Sequence, residues 1–332
     1  MLVRRRGLQA AAGIAVLALA MSACGGGGSS NNGSSGSSSP ASGASTGSAA
    51  ASTGPSASSS GVGEAGSGVQ TNLNDKGTPQ TGGTLHMLGT GDVDYMDPNV
   101  SYYSIGYLAL RIWSRQLVTY PAEPGKVTTD VPDIATEIPT VDNGGISKDG
   151  LTYKYTIKDG VKWNTNPPRQ VTGADVVRGV KRTCNPAQPF GGLPDYETLI
   201  AGFQAFCDGF AKVDPKSAKA IADYQNGHQV EGLSVDPSNP NTVVFKLTQP
   251  ASYFSAMVSM PAFSPAPAEY DQYIPASAEL AQHTISDGPY QIASYNPAHE
   301  IKFVRNTAWD PKTDDVRKAY VDAIDINQTG NQ

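Results

Sequence analysis

The sequence has 332 residues, of which 39% are hydrophobic and 16% are charged, and its formal net charge at pH 7 is −6. No block rich in Lys and Arg follows the first few residues, which excludes proteins that bind nucleic acid or membrane surfaces mainly by charge. The roughly 250 residues from Gly83 onward are enough for one large domain or two lobes.

The chain opens with a basic start and a short apolar run. Three arginines, Arg4–Arg6, precede the run GLQAAAGIAVLALA, and small residues follow before Cys24. This order is typical of an export signal, and the run is shorter than the ~20 residues of a membrane-spanning helix. We predict a signal peptide over 1–23 and a lipidated Cys24, because the segment resembles a bacterial lipobox with Met21 in place of leucine. Cleavage that leaves Cys24 unmodified is the alternative.

Gly, Ser and Ala dominate residues 24–82, which contain almost no large apolar side chains. Such a segment cannot bury enough surface to offset its conformational entropy. We therefore predict a disordered linker over 24–82, with a root-mean-square reach of roughly 40 Å. Removal of the signal would take the net charge from −6 to −9, because three arginines would be lost.

A strand and a helix are predicted at the start of the folded part. Thr84–Leu88 reads as a short strand, and a loop rich in Gly and Asp follows it. Ser101 is the predicted N-cap of the helix, and Tyr107 is predicted to pack at the edge of its apolar face. That face is indicated by apolar residues at helical spacing: Ile105, Leu108, Ala109, Ile112 and Trp113.

Residues 151–182 predict a strand, a turn and a helix. Alternating apolar residues from Leu151 to Ile157 indicate a half-buried strand, and Asp159-Gly160 supplies a turn. Thr172 and Asp175 have the spacing of a capping box, so we expect a helix to begin there. Its buried positions are predicted to be Val176, Val177 and Val180, with Arg178, Lys181 and Arg182 outside.

Further elements are predicted in the last third of the chain. Alternation over Val243–Leu247 indicates a strand, and the segment after Pro250 reads as a short buried helix broken at Pro261. Residues 286–306 read as a hairpin around Asn296-Pro297, and a last strand begins within VDAIDIN. Asp314 and Asp315 lie in a polar loop, and we expect both to be solvated.

Cys184 and Cys207 are an even pair in a chain with an export signal, and we predict a disulfide between them. A metal pair or a redox pair is the alternative. The sequence has no CxxC motif, and its four histidines show no ligand spacing near either cysteine.

Three segments together resemble the family 5 extracellular solute-binding proteins, which serve ABC importers for peptides, nickel complexes and related solutes. The segment YKYTIKDGVKWNTNPPRQVTGADVVRGVKR resembles the strand-turn-helix signature of that family. Its loop NTNPPRQ departs from the His/Ser-Asp-Gly-x-Pro turn that is frequent there. GGTLHMLGTGDVDYMDP is similar to the opening strand, and DGPYQIASYNPAHEIKFVRN is similar to the Gly-Pro-Tyr hairpin. The matching signature residues are Tyr155, Lys158, Asp159, Gly160, Val161, Trp163, Asp175 and Val176.

This resemblance covers residues 83–328 and implies a mixed α/β, periplasmic-binding-protein-like fold with two lobes. Family members continue well beyond the length of this chain, which implies that only lobe I with its inserted subdomain is present. On this interpretation 83–127 and 240–332 form an incomplete lobe I, and 128–239 form the inserted subdomain.

The resemblance implies a lipid-anchored binding protein on the outer face of a bacterial cell membrane. It would capture oligopeptides, dipeptides or another small solute as a monomer and deliver them to the permease subunits. No cofactor, metal or nucleic acid is implied. The family closes two lobes on its solute, so a cleft with a single wall should bind weakly. A remnant that binds nothing and a lipoprotein that interacts with proteins are the alternatives.

The resemblance also suggests which residues line the cleft. Asp94 and Tyr95 lie in the loop after the first strand, and Tyr103 lies at the helix entry. Phe190 and Tyr196 follow Cys184, where peptide-binding relatives place an aromatic cleft residue. A surface-loop or core-edge position is the alternative for each of the five.

A secreted hydrolase is the competing class, but no catalytic constellation supports it. A serine hydrolase needs a Gly-x-Ser-x-Gly turn between a strand and a helix, and the serines near glycine lie mainly in the linker. A metallohydrolase needs His pairs on a helix face, and the four histidines are scattered. We therefore predict that the chain is not an enzyme.

Overall fold

Residues 78–123 and 125–328 are described by a computed structural model, and all of them belong to one unit, Gly63–Gln332. The predicted signal peptide, Cys24 and nearly all of the predicted linker lie outside the described residues. Within the described part, no helix is long and apolar enough to cross a membrane.

Strands and short helices alternate along the described residues. The strands are β1 (Thr84–Leu88), β2 (Val118–Thr119), β3 (Val131–Pro132), β4 (Thr152–Thr156), β5 (Lys162–Trp163), β6 (Arg169–Gln170), β7 (Leu233–Asp236), β8 (Asn239–Lys246), β9 (Tyr290–Asn296), β10 (Glu300–Arg305) and β11 (Ala323–Asn327). The helices are α1 (Ser104–Trp113), α2 (Gly173–Arg182), α3 (Phe203–Phe210), α4 (Ala218–Gly227), α5 (Phe254–Val258) and α6 (Ala278–Ala281), with 3₁₀ turns at Leu193–Asp195, Pro261–Phe263, Ala268–Gln272 and Pro311–Thr313.

The first and last described strands lie side by side in a four-stranded sheet. Its order is β1-β11-β10-β9, in which β1 and β11 are parallel and the other pairs are antiparallel. The core cluster on one face of this sheet includes Leu110 and Trp113 of α1 with Ile301, Phe303 and Ile326 of the strands. The predicted hairpin and last strand are confirmed.

A three-stranded antiparallel sheet, in the order β4-β8-β7, forms the centre of the larger core. Tyr153, Tyr155 and Ile157 are buried as the alternation predicted, and Phe245 of β8 is buried against Tyr155. The core cluster around this sheet runs from Leu117 to Phe263. Two small pairs, β2-β3 and β5-β6, complete the sheets of the described residues.

The domain limits predicted from the sequence stay a prediction. Strand β8 begins at Asn239, next to the predicted limit, and it pairs with β4 and β7 of the predicted inserted subdomain. The sheet of that subdomain therefore continues past residue 240 to Lys246.

Helix α2 begins as the sequence predicted, but its polar face is different. Thr172 and Asp175 form the capping box. Arg178 is partly buried and pairs with Asp271 at 2.8 Å. Lys181 and Arg182 are 5% and 1% exposed, so the prediction that they lie outside is wrong. Their charges are matched inside the fold: Lys181 donates to the carbonyl oxygens of Gln225 and His228, and Arg182 pairs with Asp97.

The N-cap of α1 and the burial of Asp314 also differ from the prediction. Helix α1 begins at Ser104 with Tyr103 as N-cap, so Ser101 is not the capping residue. Asp314 is buried and ion-paired, whereas Asp315 is exposed as expected. Asp314 is buried because two arginines, Arg115 and Arg317, surround it.

Candidate functional site

The loop between β1 and α1 holds three aspartates that fix three different parts of the fold. Asp92, Asp94 and Asp97 bind the β9–β10 turn, the start of α1 and helix α2, respectively. Because an ionised carboxylate accepts several hydrogen bonds, each can hold more than one donor. The loop is thus positioned from three sides.

Asp94 satisfies the free amides at the start of α1. Its Oδ2 accepts hydrogen bonds from the backbone amides of Tyr102 and Tyr103 at 2.5 and 3.1 Å. Its Oδ1 accepts from the Ser101 hydroxyl at 2.6 Å. These two amides immediately precede the first helical residue, Ser104, and a carboxylate at a helix N-terminus is also favourable for charge. Ser101 therefore contributes by donating to Asp94, and it is not itself the N-cap of α1.

Asp92 and Asp97 hold two strained turns beside the loop. Asp92 accepts hydrogen bonds from Ala298 N at 2.7 Å and from the Tyr295 hydroxyl at 3.1 Å. Asp97 accepts from Ala276 N at 3.3 Å. Both alanines have a φ of 61°, a left-handed conformation that costs a residue with a side chain on the order of 1 kcal/mol. The two carboxylates stabilise these conformations.

A pocket of about 210 Å³ lies between the loop and these two turns. Apart from Asp94, its lining has no charged side chain: Tyr95, Met96, Ala276, Ser277, Ala278, Ala281, Gln282, Tyr295 and Pro297. The hydroxyl of Ser277 accepts a hydrogen bond from Leu280 N and caps α6. The Asp94 carboxylate and the hydroxyls of Ser277 and Tyr295 are committed to the fold, so the pocket has the chemistry of a binding site for a small uncharged group.

The structure brings three of the five predicted site residues together. Asp94 and Tyr95 line the pocket, and Tyr103 lies beside Asp94 with its side chain 62% exposed. Tyr102 was not predicted as a site residue, yet it is 54% exposed and directly precedes Tyr103. Its ring meets that of Phe190 edge-on at 5.4 Å.

The other two predicted residues, Phe190 and Tyr196, are buried in the larger core. They are 2% and 0% exposed, and their rings lie 6.3 Å apart. Neither side chain is accessible to a ligand in this structure, because Tyr102 covers Phe190 and Phe263 packs on Tyr196. Their role here is to support the surface that carries Tyr102.

Two tyrosines near the pocket have raised pKa values. Burial, with the neighbouring Tyr102 and Asp94, raises the pKa of Tyr107 to about 12. Burial and the Asp92 carboxylate raise the pKa of Tyr295 above its usual value. Both phenols stay neutral at physiological pH, so neither acts as a base there.

Cys184 and Cys207 are joined by a disulfide that links the end of α2 to α3, with their Cα atoms 5.5 Å apart. Both cysteines are buried. In the described part of the chain, no group of three or more His, Cys, Asp or Glu side chains could hold a metal ion.

Comparison with known proteins gives the family. Residues 130–332 match the bacterial extracellular solute-binding proteins, family 5, middle region. The chain belongs to this family. It is 25% identical over 194 residues to the oligopeptide-binding protein AmiA of Streptococcus pneumoniae and 25% identical over 173 residues to the dipeptide-binding protein DppE of Bacillus subtilis. These alignments cover 54% and 51% of this chain, but only 26% and 27% of the relatives, so the chain spans about a quarter of their length.

Solved structures of this family share the fold. The chain aligns with clavulanic acid biosynthesis oligopeptide binding protein 2 with a TM-score of 0.61 and 27% identity, over 75% of this chain and 41% of that one. The murein tripeptide binding protein MppA of Escherichia coli gives a TM-score of 0.57 at 18% identity, over 75% and 42%. The resemblance predicted from three segments is confirmed, as is the mixed α/β fold related to periplasmic oligopeptide-binding proteins.

The sequence did not reveal most of the pocket. Residues 276–298 are about 180 positions from the loop along the chain, and no local pattern links the two. The sequence does offer a signal that Tyr102 or Tyr103 is exposed. Two adjacent tyrosines before a helix cannot both pack on its apolar face.

Proposed function

We propose that this chain is the solute-binding component of an ABC importer and that it captures oligopeptides or dipeptides outside the cell. The family match over residues 130–332 carries this proposal, together with similar proteins that are named for oligopeptide or dipeptide binding. Capture rather than catalysis fits the pocket, where Asp94 holds the entry to α1 and Ser277 caps α6.

The loop and pocket would form one wall of the binding cleft. Tyr95, Tyr102 and Tyr103 present apolar rings with a polar hydroxyl, which suits side chains of varied chemistry. The pocket is large enough for a small uncharged side chain of the peptide, and bridging water would widen the range it accepts. Phe190 and Tyr196 would support this surface from the core beneath it.

The remaining parts of the proposal concern anchoring and delivery. Cys24 would carry the lipid that holds the chain to the outer face of the cell membrane, and residues 24–82 would tether the domain. The described residues would form lobe I, with 128–239 as its inserted subdomain. A monomer that closes on peptide would then dock on the permease, because closure gives the peptide-bound form a distinct surface.

The proposal predicts that exposed tyrosines beside the pocket contribute to peptide affinity. Tyr102→Ala and Tyr103→Ala should each weaken binding of a short peptide by roughly tenfold, because an aromatic contact is lost. Tyr253→Ala is the matched control, since Tyr253 is also 54% exposed but precedes α5 and does not belong to the loop between β1 and α1. Isothermal titration calorimetry of the full chain measures all three. Equal effects of the three substitutions would contradict this location of the site.

One observation favours the alternative of a protein that interacts with proteins. Strand β1 is an edge of its sheet, and Leu85 and Leu88 are 46% and 85% exposed there. An exposed apolar edge can pair with another chain. In the same titrations this alternative predicts no peptide binding for the unaltered chain.

A further inference from the structure

A buried cluster of charged side chains joins four separate segments of the chain. It comprises Arg115 after α1, Asp133 after β3, Asp287 before β9, and Asp314 and Arg317 after the last 3₁₀ turn. The side chains of Arg115, Asp133 and Asp314 have no exposed surface, and that of Arg317 is 11% exposed. The cluster lies outside the proposed peptide pocket.

Two of the three carboxylates are paired with guanidinium groups. Asp133 receives Arg115 Nε at 2.8 Å and Arg317 Nη2 at 2.8 Å on its two oxygens. Asp314 Oδ2 lies 3.6 Å from Arg115 Nε and 3.4 Å from Arg317 Nη1. Burial alone would raise the pKa of Asp133, but Arg317 and Arg115 outweigh it and hold that pKa well below its usual value. Asp133 is therefore ionised throughout the physiological pH range.

Asp287 is the carboxyl group that lacks such a partner. It is 1% exposed, and its Oδ1 accepts a hydrogen bond from the backbone amide of Arg115 at 2.9 Å. Its Oδ2 has no hydrogen-bond partner among the described residues, and it forms no ion pair with any of them. An ionised oxygen buried without a partner is costly, whereas a protonated carboxyl is neutral.

The charge of the cluster indicates where a proton belongs. Three carboxylates and two guanidinium groups sum to −1 when all are ionised, and to zero when one carboxyl is protonated. Asp133 and Asp314 are paired with both arginines, so the proton falls to Asp287. Burial raises the pKa of Asp287 to about 7, with Arg115 as the main opposing charge. Asp133 adds to this rise and Arg317 opposes it.

Asp287 lies where the segment before β9 meets the end of α1. We call this meeting point the joint. Its neighbour Ser286 donates to the Trp113 carbonyl at 2.6 Å, and Gly288 N donates to the same carbonyl at 3.0 Å. Trp113 ends α1, which belongs to the core of the four-stranded sheet. Tyr270 on the turn Ala268–Gln272 also faces Asp287, whose charge contributes to the raised pKa of that phenol.

We propose that Asp287 is a proton-dependent latch at this joint, which holds the segments of the cluster together when it is protonated and weakens their attachment when it ionises. The proton leaves to solvent as the fold opens locally around residues 286–288. The change in external pH would thereby set how firmly the hairpin β9–β10 is attached to α1.

The sign of the pH effect follows from comparing Asp287 in the folded and unfolded chain. Its pKa rises from an ordinary value of 3.8 to about 7 on folding, so the folded state binds the proton more tightly. The stabilisation is complete below about pH 4 and is lost as pH rises towards and through 7. Asp133 has the opposite sign: its stabilisation is complete above about pH 4 and is lost only as pH falls below that value.

Urea unfolding of the full chain between about pH 5 and pH 8 tests the latch. Asp287 should raise the unfolding equilibrium constant on the order of 10- to 100-fold across this range. In Asp287→Asn, which is neutral at every pH, this rise should vanish and the variant should be more stable than the unaltered chain at the upper end. Asp142→Asn, at an exposed turn position, is the control and should keep the rise. A pH dependence equal in Asp287→Asn and the unaltered chain would overturn the proposal.

A second measurement does not depend on whether the variant folds. Carbon-13 NMR of the unaltered chain, with the Asp287 carboxyl carbon assigned through its own backbone, should show that signal titrating near neutral pH. Titration of the same signal near pH 4, in the ordinary range of aspartate, would show that no proton is held and would overturn the latch.

Discussion

Acidic side chains in the loop between β1 and α1 act first as structural groups. Asp92, Asp94 and Asp97 each accept hydrogen bonds from a part of the chain that would otherwise leave backbone amides unpaired. The sequence predicted that Asp94 and Tyr95 would lie in the cleft loop, and the pocket does include both. It could not predict that Asp94 accepts hydrogen bonds at the entry to α1, because the loop geometry brings residue 94 back to residues 102 and 103.

Local partners were predictable, and distant ones were not. The capping box of α2 was predicted because Thr172 and Asp175 lie within four positions. The burial of Arg182 was not, because its partner Asp97 is 85 positions away. When no partner is known, a basic residue on a helix is predicted to be exposed, because burying an unpaired charge costs free energy.

Arg182 is predicted to be essential for stability through its pairing with Asp97. Arg182→Met should lower the free energy of unfolding by about 3 kcal/mol or more, because it leaves a buried carboxylate unpaired. Adding Asp97→Asn should cost less than the two single changes together, by about 1 kcal/mol. Urea unfolding of the single and double variants measures both effects.

The control for this pair is an ion pair on the surface. Lys219→Met removes the partner of Asp223, where both side chains are largely exposed, and should leave stability almost unchanged. Strict additivity of Arg182→Met and Asp97→Asn would show that the two residues do not stabilise the fold as a pair.

Among the elements, those with clear periodicity were predicted well. Alternation gave the buried face of β4, and helical spacing located α1. The predicted apolar face of α1 was wrong at Leu108, which is 42% exposed, whereas Leu110 is buried. The parallel pairing of β1 with β11 joins residues almost 240 positions apart, and no local pattern encodes such a partner. Tertiary contacts likewise decided that Phe190 and Tyr196 face the core, since aromatic residues suit both a cleft and a core.

The disulfide between Cys184 and Cys207 should make a measurable contribution to the stability of the fold. It closes a loop with a sequence separation of 23, for which the chain-entropy model gives about 3 kcal/mol. Reduction should lower the urea midpoint accordingly. The double variant Cys184→Ala/Cys207→Ala should be less stable and should not respond to reductant. An identical midpoint for oxidised and reduced protein would contradict a stabilising role.

At the scale of the whole molecule, two cores meet at a buried charged cluster. The core from Leu117 to Phe263 surrounds the β4-β8-β7 sheet, and the second core lies between α1 and the four-stranded sheet. The family and the fold class were predictable because three short segments resemble family 5 in order along the chain. The pocket was not, because it forms only where the loop, α6 and the β9–β10 turn come together.

The central claim is that this surface captures peptides, and equilibrium binding by the full chain tests it most directly. Saturation-transfer NMR with a mixture of short peptides detects weak as well as tight binding. The account predicts signals from peptides that diminish in Tyr103→Ala but persist in Tyr253→Ala. No transfer to any peptide, from a chain whose cooperative unfolding shows that it is folded, would contradict peptide capture and favour a role in protein interaction.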